Sequence, residues 1–280
     1  MKGWIALDID GTITLDKYKV PDEVVSFLRK ITSEGWKLVL ATGRPYAFAS
    51  MALGEFDFPY SFLAQNGSAA LQMPDKEPLF TRYIDPSKLP LIEAAYEGIE
   101  SDFLIYAGFE KGDFCYYRPH RFSADELIYL SDLQKRQKES WREVTEFKDA
   151  EIGAFPLVKC FGFTHQLTQI ADRLRATQAF NVAHIRDPYD DAMDLLLVTD
   201  RTASKGLGLA ELLHRYGKSG LVIAAGDDEN DLSLFDVADV KIAMPHAPAS
   251  LHERADFIAP PTAEQGIIRA LKMVFHDHHL

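Results

Sequence analysis

The chain has 280 residues, 47% of them hydrophobic, and a formal net charge of −12. That length allows one large or two ordinary domains with sizeable cores. The acidic balance, with no long basic run, argues against nucleic acid and anionic membrane as partners, and no uninterrupted apolar run is long enough to span a bilayer. Residues 1–4 lead straight into an apolar strand without the pattern of a signal peptide, and the two cysteines, Cys115 and Cys160, have neither metal-type spacing nor a disulfide framework. The expectation is a soluble cytoplasmic protein.

The first third alternates strands and helices. Residues 4–7 read as a strand that runs into Asp8-Ile9-Asp10-Gly11-Thr12. Two carboxylates two positions apart at a strand's end point the same way and repel unless a cation or a shared proton intervenes. An oxygen-rich site of this kind suits Mg²⁺, which keeps waters and accepts a substrate phosphate as a further ligand. A helix over 21–32 follows, with Val24, Val25, Phe27, Leu28 and Ile31 on one face, then a short buried strand over 37–41. A helix over 45–53 and a strand over 61–64 continue the rhythm, which implies a parallel sheet with right-handed crossovers. Ligands of such sheets sit beyond the carboxyl ends of the strands, where Asp8, Thr42 and Asn66 all fall. Thr42-Gly43 can offer a hydroxyl and a backbone N–H to a phosphate oxygen, or can simply cap and bend an ordinary strand-to-helix turn. Arg44 can contact phosphate or pair with a core carboxylate. Asn66-Gly67 is a strong tight-turn pair, and the Asn amide can also reach a phosphate oxygen.

The middle of the chain is aromatic-rich and α+β. Helices are expected over 86–96, 123–138 and 165–177, with strands over 103–107, 114–118, 157–163, 181–186 and 193–198. This region reads as an insert over 85–198, with the core made from 1–84 and 199–280. Alternation resumes with a helix over 205–216, a strand over 220–225, a helix over 231–237, strands over 240–243 and 257–258, and a closing helix over 264–275. Lys205 opens its helix, where a cation opposes the helix dipole unless an anion lies nearby; solvent exposure is the alternative. The strand before residue 226 ends in Gly226-Asp227-Asp228-Glu229-Asn230-Asp231. Asp227 is best placed there as a metal ligand, with Asn230 and Asp231 behind it to orient ligands or water; Asp231 can also serve only as a helix cap. The tail 276–280 reads as polar or disordered.

Together, Asp8-Ile9-Asp10-Gly11-Thr12, Ala41-Thr42-Gly43-Arg44, Lys205 and Gly226-Asp227-Asp228-Glu229-Asn230-Asp231 resemble, in order and spacing, the motifs of the haloacid dehalogenase-like (HAD) phosphohydrolases, and Asn66-Gly67 adds a further match. The large insert looks like a type II α/β cap and points to the Cof-type phosphatases. The resemblance implies an α/β fold with a Rossmann-like parallel-sheet core and an inserted α+β cap. It implies Asp8 as the nucleophile that forms an aspartyl-phosphate, and Asp10 as the general acid and base. It also implies Mg²⁺ held by Asp8, Asp10 and Asp227, with Thr42, Gly43, Asn66 and Lys205 on the phosphoryl group. The expected partner is a small phosphorylated metabolite, first of all a sugar phosphate. A phosphosugar mutase keeps the same acid–base aspartate and is the alternative enzyme; a non-catalytic phosphometabolite-binding protein is the third reading. In the insert, Arg118 and Arg186 are candidates for a second anionic group, although surface arginine is the commoner role of each.

Overall fold

The computed structural model describes residues 2–187, 189–190 and 192–279. It comprises two compact units: one of Met1–Arg44, Ala49–Phe80 and Ser204–Leu280, the other of Pro45–Phe48 and Thr81–Ala203.

In chain order, β1 (Gly3–Asp8), α1 (Asp22–Ser33), β2 (Trp36–Ala41), α2 (Tyr46–Ala52) and β3 (Tyr60–Ala64) carry the strand–helix alternation, and β4 (Ala69–Met73) and β5 (Glu77–Thr81) follow. The insert supplies α3 (Leu89–Ala95), β6 (Phe103–Tyr106), β7 (Cys115–Tyr117), α4 (Ala124–Gln137), β8 (Trp141–Glu143), β9 (Leu157–Gly162), α5 (Thr164–Ala176), β10 (Phe180–Arg186) and β11 (Asp194–Asp200). The chain closes with α6 (Lys205–Tyr216), β12 (Leu221–Gly226), α7 (Leu232–Phe235), β13 (Val240–Ala243), α8 (Ala249–His252), β14 (Phe257–Ile258) and α9 (Gly266–Asp277).

The first unit holds an eight-stranded sheet in the order β14-β13-β12-β1-β2-β3-β4-β5. From β14 to β3 the pairs are parallel. The sheet is not parallel throughout, because β4 turns back antiparallel on β3. The turn is made by Asn66 and Gly67, both at positive φ (57° and 84°), so the tight-turn role of this pair and its place at the sheet edge are both realised. Pro78 lies in β5, the edge strand, where its missing N–H removes no central ladder bond. Every residue of β1 is buried, as a strand covered on both faces requires. Trp4 and Ala6 pack with Leu209, Leu212 and Leu213 of α6 in one apolar cluster. The register Asp8↔Ala41 and Leu7↔Ala225 brings the ends of β2 and β12 level with the end of β1.

The second unit holds a six-stranded sheet in the order β10-β11-β9-β6-β7-β8. Its pairs are antiparallel except β7 with β8. The expected insert boundary at 198 falls inside β11, whose register with β10 runs to Asp200, so the unit extends to Ala203. Arg118 does not serve as a free anion site. It is buried, with two guanidinium nitrogens on Asp102 at 2.8 and 2.7 Å and a third on Glu93 and Glu146 at 2.9 and 3.2 Å. The tail is not loose through its length, since α9 continues to Asp277. Among the described residues no helix is long and apolar enough to cross a membrane.

Candidate active site

β1, β2, β3 and β12 deliver their carboxyl ends to one edge of the sheet of the first unit. Asp8 is the last residue of β1 and is 4% exposed. Its Oδ1 accepts from the Lys205 ammonium at 2.5 Å, and its Oδ2 is buried with no hydrogen-bond partner among the described residues. Lys205 is itself 1% exposed and also donates to Asp231 Oδ1 at 2.6 Å. Its place at the first turn of α6 is therefore compensated by two carboxylates. Burial alone lowers a lysine's pKa, but Asp231 and Asp8 outweigh that and raise it. Ser204 caps α6 through its hydroxyl on the Leu207 N–H. The backbone of Ser204 comes so close to Gly67 that a Cβ at Gly67 would lie 2.2 Å from the Ser204 carbonyl oxygen.

Asp231 is fully buried and braces the loop after β12. Its Oδ2 accepts from the Asp227 and Asp228 N–H groups at 3.0 and 3.3 Å. Asp231 stands at the N-cap of α7 but its side chain makes no cap hydrogen bond there, so it supports the site loop rather than capping that helix. Ligand atoms of Asp8, Asp227 and Asp231 lie within 4.8 Å of one another, a group able to hold a divalent cation. Burial first, then the neighbouring carboxylates, raise the pKa values of Asp8 and Asp227. Burial likewise lifts Asp228 to about 6. A site with this much uncompensated carboxylate calls for a cation. The all-oxygen donor set of these carboxylates fits a hard divalent ion.

The Asp10 carboxylate lies outside that group and has cationic partners of its own. β1 stops at Asp8, and the chain folds into a tight loop with Ile9 O accepting from the Ile13 and Thr14 N–H groups. The Asp10 carboxylate is taken by Arg44, from Nε at 2.6 Å and Nη2 at 2.5 Å, and by Lys17 at 3.0 Å. Burial would raise its pKa, but the Arg44 hydrogen bonds and the two cations hold it at about 2. Arg44 thus pairs with a carboxylate, although Asp10 is half-buried rather than in the core.

The sequence of residues 5–271 matches the pattern of the haloacid dehalogenase-like hydrolases. The chain belongs to that family. It is 36% identical to the phosphoglycolate phosphatase of Archaeoglobus fulgidus over 96% of each chain. It is 22% identical to a 5-amino-6-(5-phospho-D-ribitylamino)uracil phosphatase of Bacillus subtilis over 97% of each. Among solved structures, a haloacid dehalogenase-like hydrolase of Bacteroides thetaiotaomicron superposes with a TM-score of 0.76 at 25% identity, over 98% of this chain and all of that one.

In this hydrolase Thr42 is buried after β2, and its hydroxyl accepts from the Arg44 N–H at 3.0 Å, which leaves its own hydrogen to donate. Gly43 lies between them in the loop that leads to α2. Asn66 is buried, donates its N–H to Thr42 O at 2.8 Å, and accepts at Oδ1 from Asn230 Nδ2 at 3.4 Å. The edge thus gathers the motif residues onto adjoining loops. Sequence reasoning missed Lys17, which carries no motif signal. It also missed His246, whose Nε2 lies 3.1 Å from Asp227 Oδ2. The position of His246, three residues past the carboxyl end of β13, is the signal that could have found it.

Proposed function

We propose that this hydrolase is a Mg²⁺-dependent phosphomonoesterase that works through an aspartyl-phosphate on Asp8. The observation that carries this reading is the Asp8 carboxylate, buried at a strand end, with Lys205 on one oxygen and the other without a hydrogen-bond partner among the described residues. Attack on phosphorus needs a carboxylate oxygen with a lone pair to give, and Oδ2 has it. Asp8 bonds to phosphorus as the ester P–O bond breaks, and Asp10 gives a proton to the leaving alkoxide. Asp10 then takes a proton from water, whose oxygen attacks phosphorus and restores the Asp8 carboxylate. While Arg44 and Lys17 hold Asp10 it carries no proton, so substrate binding must loosen that pairing before Asp10 can donate. Thr42, the Gly43 N–H, Asn66 and Lys205 hold the phosphoryl oxygens. A divalent ion on Asp8 and Asp227 would neutralise charge on those oxygens. Asn230 and Asp231 position these groups.

The substrate is a small phosphorylated metabolite. A sugar phosphate is the first reading. Phosphoglycolate is the second, favoured by the Archaeoglobus relative. Phosphate release from p-nitrophenyl phosphate, a set of sugar phosphates and phosphoglycolate, with and without Mg²⁺, tests the proposal alongside Asp8→Asn. Metal-dependent release lost in the variant supports it. Conversion of a hexose phosphate to its isomer without release would make the protein a mutase, and unchanged release by Asp8→Asn would remove Asp8 as nucleophile.

A further inference from the structure

We infer that His246 is a positioning residue for the metal, acting through Asp227. The inference rests on the reading above that Asp227 is a metal ligand. β13 ends at Ala243, and the next four residues make a β-turn in which the Met244 carbonyl accepts from the Ala247 N–H at 3.0 Å. Pro245 occupies the second position of that turn, where its fixed φ suits the geometry, and His246 occupies the third. The turn is bolted to the neighbouring strand, because the Met244 N–H donates to the carbonyl of Gly226, the residue before Asp227, at 3.0 Å. His252 fixes it from the other side through a 2.9 Å hydrogen bond from Nε2 to the Met244 carbonyl. The imidazole is thus carried on a short rigid arm anchored one residue from the carboxylate it touches.

Gly11 makes room for the contact. It lies at φ +77°, and a Cβ there would sit 2.0 Å from Asp227 Oδ2 and 3.0 Å from His246 Nε2. The place where carboxylate and imidazole meet is open only because position 11 has no side chain. The Gly11 carbonyl is in turn held by the Thr262 hydroxyl. Asp227 therefore has His246 on Oδ2 at 3.1 Å and a long contact from the Thr12 hydroxyl to Oδ1 at 3.5 Å. With Asp227 ionised, as a metal ligand must be, the proton of the imidazole contact lies on Nε2.

Stability does not explain the arrangement. The His246 side chain is 48% exposed, and an ion pair or hydrogen bond so open to water contributes little to folding. Holding one carboxylate oxygen so that the plane of Asp227 is fixed does serve a metal site. Partners of ligating carboxylates typically change metal affinity by about 10–100-fold when removed.

The test is direct titration with Mn²⁺, followed by its paramagnetic resonance signal, on the full chain and on His246→Ala, His246→Gln and Asp227→Asn. The inference expects Mn²⁺ affinity to fall about 10–100-fold in His246→Ala and to return most of the way in His246→Gln, whose side-chain amide can donate from a similar place. At saturating metal, the KM for p-nitrophenyl phosphate stays as in the parent protein. Parental affinity in His246→Ala, with affinity lost in Asp227→Asn, overturns the role of His246 and leaves the metal site standing. A raised KM with unchanged Mn²⁺ affinity also overturns it, since the ring would then touch substrate. Parental affinity in Asp227→Asn removes the metal-site reading itself and this inference with it.

Discussion

In each unit a cluster of acids surrounds one buried cation, and the two clusters are finished differently. In the second unit, Arg118 places its guanidinium on Asp102, Glu93 and Glu146, and its Cζ lies 4.1 Å from the Phe147 ring centre. The guanidinium spends its hydrogen-bonding fork on acids held within the same unit. In the first unit, Lys205 serves Asp8 and Asp231, yet Asp8 Oδ2 keeps no hydrogen-bond partner among the described residues and the Asp227 carboxylate stands close by. A closed cluster fixes a fold. An open one, with a surplus of carboxylate, holds chemistry in reserve and is where perturbed acid strengths gather.

The largest expected effect breaks that comparison at its centre. Asp8→Asn keeps the shape of the strand end and removes the nucleophile, so phosphate release should fall by on the order of 10⁴-fold or more while the melting temperature hardly moves. Arg118→Met should do the reverse. It strands Asp102 without its cation, and urea unfolding should show a loss of about 3–5 kcal/mol. Turnover per folded molecule on p-nitrophenyl phosphate should stay near parental, and a loss of turnover as deep as that of Asp8→Asn would show that the closed cluster is not merely structural.

Lys205→Met combines both outcomes. It takes the cation from Asp8 and Asp231 together, so it should cost activity and also a few kcal/mol of stability, about 3–5 by the cost of breaking a buried pair. A variant that keeps full turnover would place the phosphoryl group away from Lys205.

The sequence made the open cluster more legible than the closed one. Asp8 and Asp227 each follow an apolar run at a strand's end, so local pattern puts both at one sheet edge, and the family resemblance added Lys205 at the start of its helix. The insert acids gave no such signal. Asp102, Glu93 and Glu146 meet Arg118 from separate elements, and which acid finds which base is decided by topology. The same limit hid the partners of Asp10, since Lys17 and Arg44 reach it from loops 7 and 34 positions away. The strands β4 and β5 were missed because they are short and Pro78 breaks the strand pattern, and β8 has only three residues, with its Trp141 half-buried and the other two exposed. His246 stands alone on a turn without motif spacing, and its place just past the carboxyl end of β13 is a weak signal.

The smallest expected effect sharpens the comparison at an exception in the second unit. Asp113 is 3% exposed; its Oδ2 accepts from the Ala47 N–H at 2.6 Å, and its Oδ1 is buried with no hydrogen-bond partner among the described residues. Burial lifts its pKa to about 6, with the charges of Glu139 and Glu110 adding to the rise against the Ala47 hydrogen bond. A carboxyl group with a folded-state pKa above its unfolded value binds its proton more tightly when folded. Its contribution to stability is therefore greatest below about pH 4 and is lost as the pH climbs to about 6, after which it is level. Asp113→Asn removes this titration and still offers an oxygen to Ala47. Relative to the parent, the variant should gain stability steadily between those values, up to about 3 kcal/mol above pH 6. Asp228 titrates in the same range in both proteins, so the difference between their urea midpoints isolates position 113. A difference that does not vary with pH would mean that the folded protein compensates the Asp113 carboxylate.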